Sequence, residues 1–277
     1  VDDVSLSLPG GNFTAIIGES GCGKSVLGQA ILNILPSGVV KKGSVLYNGE
    51  QVEKILSAFG IIPQNPSESL NPVRKIGKQM QDILAVHNIA DSDNSYKKQC
   101  LHLFGLQEAE RVLAAYPHEL SGGMLQRVLC AMAVSSKPEW ILADEPTKGL
   151  DEQVGAVVRK NLLTIKQDLH LSMLIITHDI ALAQEVCDDV LVMYAGQVLE
   201  HNADIWHKPL HPYTQGFLQA LPKNGLQVIP GKAPVPGESF TGCKFAARCP
   251  YSTKRCKEEK PAMQQVGAAE VRCFLYA

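Results

Sequence analysis

The sequence predicts an α/β fold with a mostly parallel β-sheet. Two short apolar runs, residues 140–143 and 173–177, are separated by a segment with helical spacing at residues 151–169. Uninterrupted apolar runs of this length are typical of parallel strands covered on both faces, and their alternation with helices indicates βαβ units. With 277 residues, 45% of them hydrophobic, the chain is long enough for one large domain and a small appendage.

The remaining elements follow from the same periodicities. Strands are predicted at residues 4–8, 13–17, 43–49 and 59–63, and the third of them ends in an Asn48-Gly49 turn. Helices are predicted at residues 26–32, between residues 73 and 116, and at residues 122–134. The composition changes at about Pro222, after which Pro230, Pro234 and Pro236 indicate a linker.

A glycine-rich loop with the pattern G-x-x-x-x-G-K-[ST] lies between the strand predicted at residues 13–17 and the helix after it. Its residues are Gly18, Glu19, Ser20, Gly21, Cys22, Gly23, Lys24 and Ser25. Glycines leave backbone N–H groups free to surround phosphates, and the N-terminus of the following helix favours the same anions. Lys24 is expected to reach the β and γ phosphates, and Ser25 to hold Mg²⁺. The loop therefore predicts a nucleotide phosphate site rather than an ordinary helix-capping turn.

Two acids follow the buried strand at residues 140–143. Asp144 at such a strand end can hold Mg²⁺, and the next carboxylate, Glu145, can polarise an attacking water. The alternative is an acidic pair that caps the next helix.

A second loop also has the character of an anion site. Ser121, Gly122 and Gly123 open the helix at residues 122–134, where backbone N–H groups are available to an anion. An ordinary N-cap explains these three residues equally well.

In this order and spacing, the motifs resemble those of the ATP-binding subunits of ABC transporters, over residue 1 to about residue 219. The resemblance implies a P-loop NTPase (RecA-like) core, an antiparallel β subdomain, and a helical subdomain at about residues 73–135. It implies ATP and Mg²⁺ at the site, with Gln64 in the Q-loop and Asp151 in the D-loop. It also implies that Glu145 is the catalytic acid and that His178 is the switch histidine.

The segments at residues 111–127 and 211–215, and the cysteine-bearing tail, resemble the peptide/nickel importer branch of that family. The resemblance implies an ATP-hydrolysing subunit at the cytoplasmic face of the membrane, energising uptake of di- and oligopeptides. The implied partners are two permease subunits, a second, non-identical ATPase subunit and a solute-binding protein. Import of nickel or a metal chelate is an alternative, and a soluble ABC ATPase is a weaker one. With a net charge of −2, no nucleic-acid partner is expected.

A cysteine-rich extension is predicted at residues 222–277, after a nucleotide-binding domain at residues 1–221. Its thiols are Cys243, Cys249, Cys256 and Cys273. No signal peptide is visible in the sequence, so we expect the chain in the cytoplasm. In that compartment metal ligation by cysteines is favoured over disulfides. The spacing matches neither the bacterial ferredoxin run nor the paired cysteines of zinc ribbons. The family resemblance implies a [4Fe–4S] cluster; zinc and free or disulfide-forming thiols are the alternatives.

Overall fold

The computed structural model describes residues 1–51, 58–235 and 237–277, which fold into two units. The first unit contains residues 1–8, 14–27 and 187–277, and the second contains residues 9–13 and 28–186. Pro236, one of the prolines of the predicted linker, lies outside the described residues.

The described residues contain both strands and helices, which alternate between residues 140 and 194. The strands are β1 (Phe13–Ile17), β2 (Leu46–Tyr47), β3 (Glu50–Gln51), β4 (Phe59–Ile62), β5 (Trp140–Asp144), β6 (Ser172–Ile176), β7 (Asp189–Tyr194), β8 (Gln197–His201), β9 (Gln264–Val266) and β10 (Ala269–Val271). The helices are α1 (Lys24–Ile31), α2 (Pro66–Ser69), α3 (Ile76–Val86), α4 (Ser95–Leu103), α5 (Ala109–Ala114), α6 (Gly122–Ser135), α7 (Glu152–Asp168), α8 (Ile180–Val186), α9 (Pro212–Gln219) and α10 (Lys254–Glu258). None of the helices in the described residues is long and apolar enough to cross a membrane.

The second unit contains three parallel strands in the order β4-β5-β6. All five residues of β6 and four of the five in β5 are buried. This burial explains why both strands read as uninterrupted apolar runs, because each needs apolar side chains on both of its faces. The predicted strands at residues 140–143 and 173–177 are confirmed. Helix α6 is also buried over most of its length, from Leu125 to Ser135.

The antiparallel part of the second unit is small among the described residues. β2 and β3 form a hairpin joined by Asn48 and Gly49, whose φ angles of 49° and 84° suit a two-residue turn with the strands' own twist. The predicted Asn-Gly turn is confirmed. Residues 52–57, which follow the hairpin, lie outside the described residues.

The first unit contains a mixed sheet in the order β1-β7-β8-β10-β9. β1 and β7 are parallel, and the remaining neighbours are antiparallel. The tail therefore extends this sheet, since Val271 of β10 is opposite Glu200 of β8. The strand predicted at residues 4–8 is wrong: alternate residues are half-buried there as in a strand, but no strand among the described residues pairs with them.

Candidate active site

The phosphate loop lies in the first unit, between β1 and the start of α1. Gly18 has a φ of 149°, and a Cβ added there would lie 2.2 Å from the carbonyl oxygen of Met193. Only glycine fits this close approach of two backbone segments. Lys24 is buried, and its Nζ donates to the carbonyl oxygens of Gly18 at 2.9 Å and Glu19 at 3.2 Å. The ammonium group thus lies over the loop, where phosphate oxygens can replace the two carbonyl acceptors.

The loop is also held from outside by neighbouring backbone and side chains. The carbonyl oxygen of Cys22 accepts a hydrogen bond of 2.9 Å from the N–H of Gly196, in the β7–β8 turn. Burial raises the pKa of the Cys22 thiol, which disfavours the thiolate and fits a small loop filler rather than a nucleophile. Tyr213 is not part of the sequence motif, yet its hydroxyl accepts a 3.2 Å hydrogen bond from the N–H of Glu19. Sequence reasoning missed this contact because the two residues are 194 positions apart.

Glu145 and His178, two of the predicted catalytic residues, are brought together in the second unit. They follow β5 and β6, and neighbouring parallel strands end at the same edge of a sheet. The Glu145 side chain is nearly buried, and its Oε2 lies 2.6 Å from Nδ1 of His178. The same oxygen accepts a 3.3 Å hydrogen bond from the His178 backbone N–H. The two side chains therefore form one hydrogen-bonded pair at the strand ends.

The backbone at Glu145 is strained. Its φ is 48°, a left-handed conformation that a side chain of this size rarely adopts. Its N–H donates a 2.7 Å hydrogen bond to the carbonyl oxygen of Ile176, which helps to hold this conformation. Strain of this kind is concentrated at functional sites, where the surrounding structure fixes an unusual side-chain position. Asp144, the residue before it, ends β5 and is partly exposed.

The other predicted site residues of the second unit lie on exposed loops and helix starts. Gln64 is exposed, two residues beyond the end of β4. Ser121 caps α6, its Oγ accepting a 3.3 Å hydrogen bond from the N–H of Met124. Asp151 caps α7 in the same way, its Oδ1 accepting from the N–H of Val154 at 2.9 Å. The first turn of α6 carries no acidic residue, so its exposed N-terminus keeps the electrostatic character of an anion site.

The four clustered thiols line one cavity in the first unit. Cys243, Cys249, Cys256 and Cys273 surround a space of about 150 Å³, together with the buried ring of His211. Burial, and to a lesser extent the neighbouring thiols, raise the pKa of Cys243 to about 11. Among the described residues, no group of three or more His, Cys, Asp or Glu side chains has the geometry to hold a metal ion. The extension thus gathers the thiols around a common space without closing them into a coordination sphere.

Comparison with known proteins gives matches over both units. A model of the ABC transporter family matches residues 1–148, and one of the C-terminal region of oligopeptide/dipeptide transporters matches residues 199–256. The dipeptide transport ATP-binding protein DppD of Escherichia coli (strain K12) is 37% identical, over 96% of this chain and 87% of that protein. The oligopeptide transport ATP-binding protein AppD of Bacillus subtilis (strain 168) is 35% identical, over 100% of this chain and 90% of that protein.

Solved structures with a similar fold include cbiO1 from Clostridium perfringens, described as part of the ABC transporter complex cbiONQ. Its TM-score is 0.62 at 26% identity, covering 73% of this chain and 81% of that one. The ATP-binding cassette MJ0796, solved with ADP and Pi, has a TM-score of 0.61 at 26% identity, covering 72% and 88%. The predicted α/β fold with a P-loop NTPase core is confirmed by these likenesses.

Proposed function

The chain belongs to the ABC transporter family and is an ATPase, and we propose that it energises the uptake of di- and oligopeptides across the cytoplasmic membrane. The observation that carries the proposal is the likeness to dipeptide and oligopeptide transport proteins, which extends over both units and through the cysteine-rich extension. An ATPase core alone is shared by transporters of many substrates, whereas this extension matches that of oligopeptide/dipeptide transporters.

In the proposed site, the loop of residues 18–25 binds the triphosphate through its backbone N–H groups and Lys24. The Ser25 hydroxyl and the Asp144 carboxylate would hold Mg²⁺, with Gln64 as a further oxygen ligand, since Mg²⁺ prefers hard oxygen ligands. When bound, Mg²⁺ neutralises the charge that develops on the phosphates.

Glu145 acts in this proposal as the general base or water-orienting group, and His178 contacts the γ-phosphate. The 2.6 Å contact between them supports these roles, because it fixes the Glu145 carboxylate and the orientation of the imidazole. Hydrolysis then depends on positioning and on stabilisation of charge, as in other phosphoryl transfers.

The proposed assembly contains two ATPase subunits that close head-to-tail, with a second, non-identical ATPase beside this chain. Each ATP is then held between one phosphate loop and the other subunit's counterpart of Ser121, Gly122 and Gly123, with Asp151 nearby. The exposed N-terminus of α6 supports this arrangement, because it offers backbone N–H groups to an anion. Two permease subunits and a solute-binding protein complete the proposed importer, which places the chain at the cytoplasmic face of the membrane.

We propose the following domain boundaries for this function. Residues 1–221 form the nucleotide-binding domain, its helical subdomain lies at about residues 73–135, and residues 222–277 form the extension. Four of the described helices, α3 to α6, fall within residues 73–135, with no strand between them, which supports the subdomain.

The transported substrate is tested by uptake in cells that lack this chain, comparing a labelled oligopeptide with labelled nickel. We expect uptake of the peptide to be lost and restored by the wild-type chain. A selective loss of nickel uptake would replace the substrate with the metal. Unchanged uptake of both would favour an ABC ATPase outside transport.

We further propose that the thiol cavity holds a [4Fe–4S] cluster, with zinc as the alternative. Four thiols around one space of about 150 Å³ support it, because thiolates suit both iron–sulfur clusters and zinc. Bound iron would tie together an extension whose strands have only three residues each.

The cluster is tested by analysing iron, acid-labile sulfide and zinc in chain purified without oxygen. We expect about four irons and four sulfides per chain, and their loss in Cys256→Ser. Cys187→Ser is the matched control, since that thiol is also half-buried but does not line the cavity. Zinc in place of iron would establish the alternative, and chain free of both metals would contradict the proposal.

A further inference from the structure

We propose that Arg248, in the cysteine-rich extension, is a positioning residue for the phosphate loop and thereby sets the affinity for ATP. The inference rests on the proposed binding of the triphosphate by residues 18–25. The Arg248 side chain is 8% exposed, and its Nη1 lies 3.2 Å from both Oε1 and Oε2 of Glu19, inside the loop. An arginine that is distant in sequence therefore forms an ion pair with one of the eight loop residues.

The guanidinium is fixed in place by three further acceptors. Nη1 also donates to the Tyr194 hydroxyl at 3.3 Å, Nε donates to the Pro230 carbonyl oxygen at 3.1 Å, and Nη2 to that of Ile229 at 3.4 Å. Its carbon stem passes Gly231, where an added Cβ would lie 3.2 Å from Arg248 Cγ. A planar fork held at this many points cannot swing away, so it acts as a fixed partner for the Glu19 carboxylate.

Glu19 is held through its backbone as well as its side chain. Its N–H donates to the hydroxyl of Tyr213, which is fully buried. The Tyr213 ring packs on Tyr194, with centroids 4.6 Å apart, and on Phe245 at 5.4 Å. Phe245 and Arg248 come from the same short segment of the extension, between Cys243 and Cys249. This segment thus supports both ends of Glu19.

The same segment reaches the loop by a second route. Lys244 Nζ donates to the carbonyl oxygen of Ala195 at 2.7 Å, and its side chain is only 9% exposed. The next residue, Gly196, donates its N–H to the carbonyl oxygen of Cys22 at 2.9 Å. Residues 244–248 are therefore connected to the loop at Glu19 and at Cys22. Holding both points pre-organises the loop, which reduces the ordering cost when a nucleotide binds.

Arg248 also has an electrostatic effect. A carboxylate within a phosphate loop repels the triphosphate, and the paired guanidinium compensates that charge. Removal of Arg248 leaves the partly buried Glu19 carboxylate uncompensated, whereas removal of both charges restores the balance. A residue that only filled space in the extension would not show this dependence on Glu19.

The experiment measures the Kd of the full-length chain for the ATP analogue AMP-PNP with Mg²⁺ by calorimetry. We expect Arg248→Ala to weaken binding about tenfold and Arg248→Lys to weaken it less, because lysine keeps the charge but not the fork. In the Glu19→Gln background, Arg248→Ala should have little further effect. Lys254→Ala is the control, an exposed cation of the same extension.

Two results would overturn the role of Arg248 while leaving the assignment of the loop intact. One is an equal Kd for Arg248→Ala and Lys254→Ala. The other is an effect of Arg248→Ala on the Kd that is as large in the Glu19→Gln background as in the wild type. Lys24→Ala separates this inference from the assignment of the loop: unchanged affinity in that variant would overturn both. Thermal unfolding of each variant reports folding. If Arg248→Ala does not fold, Arg248→Lys replaces it in the comparison. The loss of affinity for AMP-PNP caused by Arg248→Lys must then also be smaller in the Glu19→Gln background.

Discussion

Glu145 keeps a strained conformation through contacts to one neighbouring strand end. A left-handed φ of 48° at a non-glycine residue costs about 1–3 kcal/mol. The hydrogen bond to Ile176 and the contact with His178 offset part of that cost. Glutamine at this position keeps the volume and still accepts a hydrogen bond from His178, so Glu145→Gln removes the charge with little change in shape.

The two carboxylates that contact His201 lead us to expect that the stability of the first unit depends on pH. The His201 imidazole contacts Asp189 of β7 through Nε2 and Glu270 of β10 through Nδ1. The pKa of His201 is raised, first by the hydrogen bond to Asp189 and further by Glu270, despite the opposing effect of burial. The protonated form therefore stabilises the fold fully below the unfolded pKa of about 6.5, and this contribution is lost as pH rises through the folded pKa.

The comparison of wild type with His201→Gln tests this dependence. The wild type should unfold at a temperature higher by about 2–4 °C at pH 6, and the difference should shrink toward pH 9. The measurement is thermal unfolding across that pH range. His207→Gln is the control, because its ring pairs with the exposed side chain of Asp204. A difference that stays constant with pH would contradict the predicted role of the charge.

At the residue scale, the sequence predicts the local motifs but not the contacts between them. Asp144 and Glu145 are visible because they follow an apolar run, and Lys24 because it belongs to a spaced pattern. The pair of Arg248 and Glu19 has no such signal, since the residues are 229 positions apart and an isolated charge carries no pattern. The cavity lined by four thiols is partly predictable. The cysteines cluster in the sequence, but only the fold shows that they surround a common space.

Helix α6 presents its N-terminus at an exposed position, and this predicts an effect across a subunit boundary. In Ser121→Arg a bulky cation replaces the capping hydroxyl, so another subunit's nucleotide can no longer approach. We expect hydrolysis by the assembled transporter to fall by about 100-fold, while this chain's own affinity for AMP-PNP stays unchanged.

A matched variant for this prediction is Ser95→Arg, at the exposed start of α4. It should leave both hydrolysis and nucleotide affinity at wild-type levels. If Ser121→Arg weakened nucleotide binding by the isolated chain, the head-to-tail arrangement would be refuted.

At the element scale, length decides what the sequence reveals. β5, β6 and α7 were predictable to within one or two residues, because each has a long or uninterrupted pattern. β9 and β10, with three residues each, are too short for any periodicity to be seen. The segment at residues 4–8 shows the converse, since strand-like alternation does not guarantee a pairing strand.

At the scale of the whole molecule, the sequence predicts the family and the fold, and the structure adds how the extension is attached. The change in composition after Pro222 indicates a boundary, but it does not show that β10 pairs with β8. Nor does it show that Arg272 of the extension, buried beside β8, binds the Asp3 carboxylate at 2.9 Å. Such attachments depend on long-range pairing, which local patterns do not encode.

The most direct test of the account is peptide uptake in cells in which this chain is replaced by Glu145→Gln. The variant should still bind AMP-PNP, while ATP hydrolysis by the transporter falls at least about 100-fold and uptake of a labelled oligopeptide is lost. Glu258→Gln, an exposed carboxylate of the extension, should restore uptake like the wild type. Wild-type rates of hydrolysis and uptake with Glu145→Gln would contradict the claim that this carboxylate couples ATP hydrolysis to peptide import.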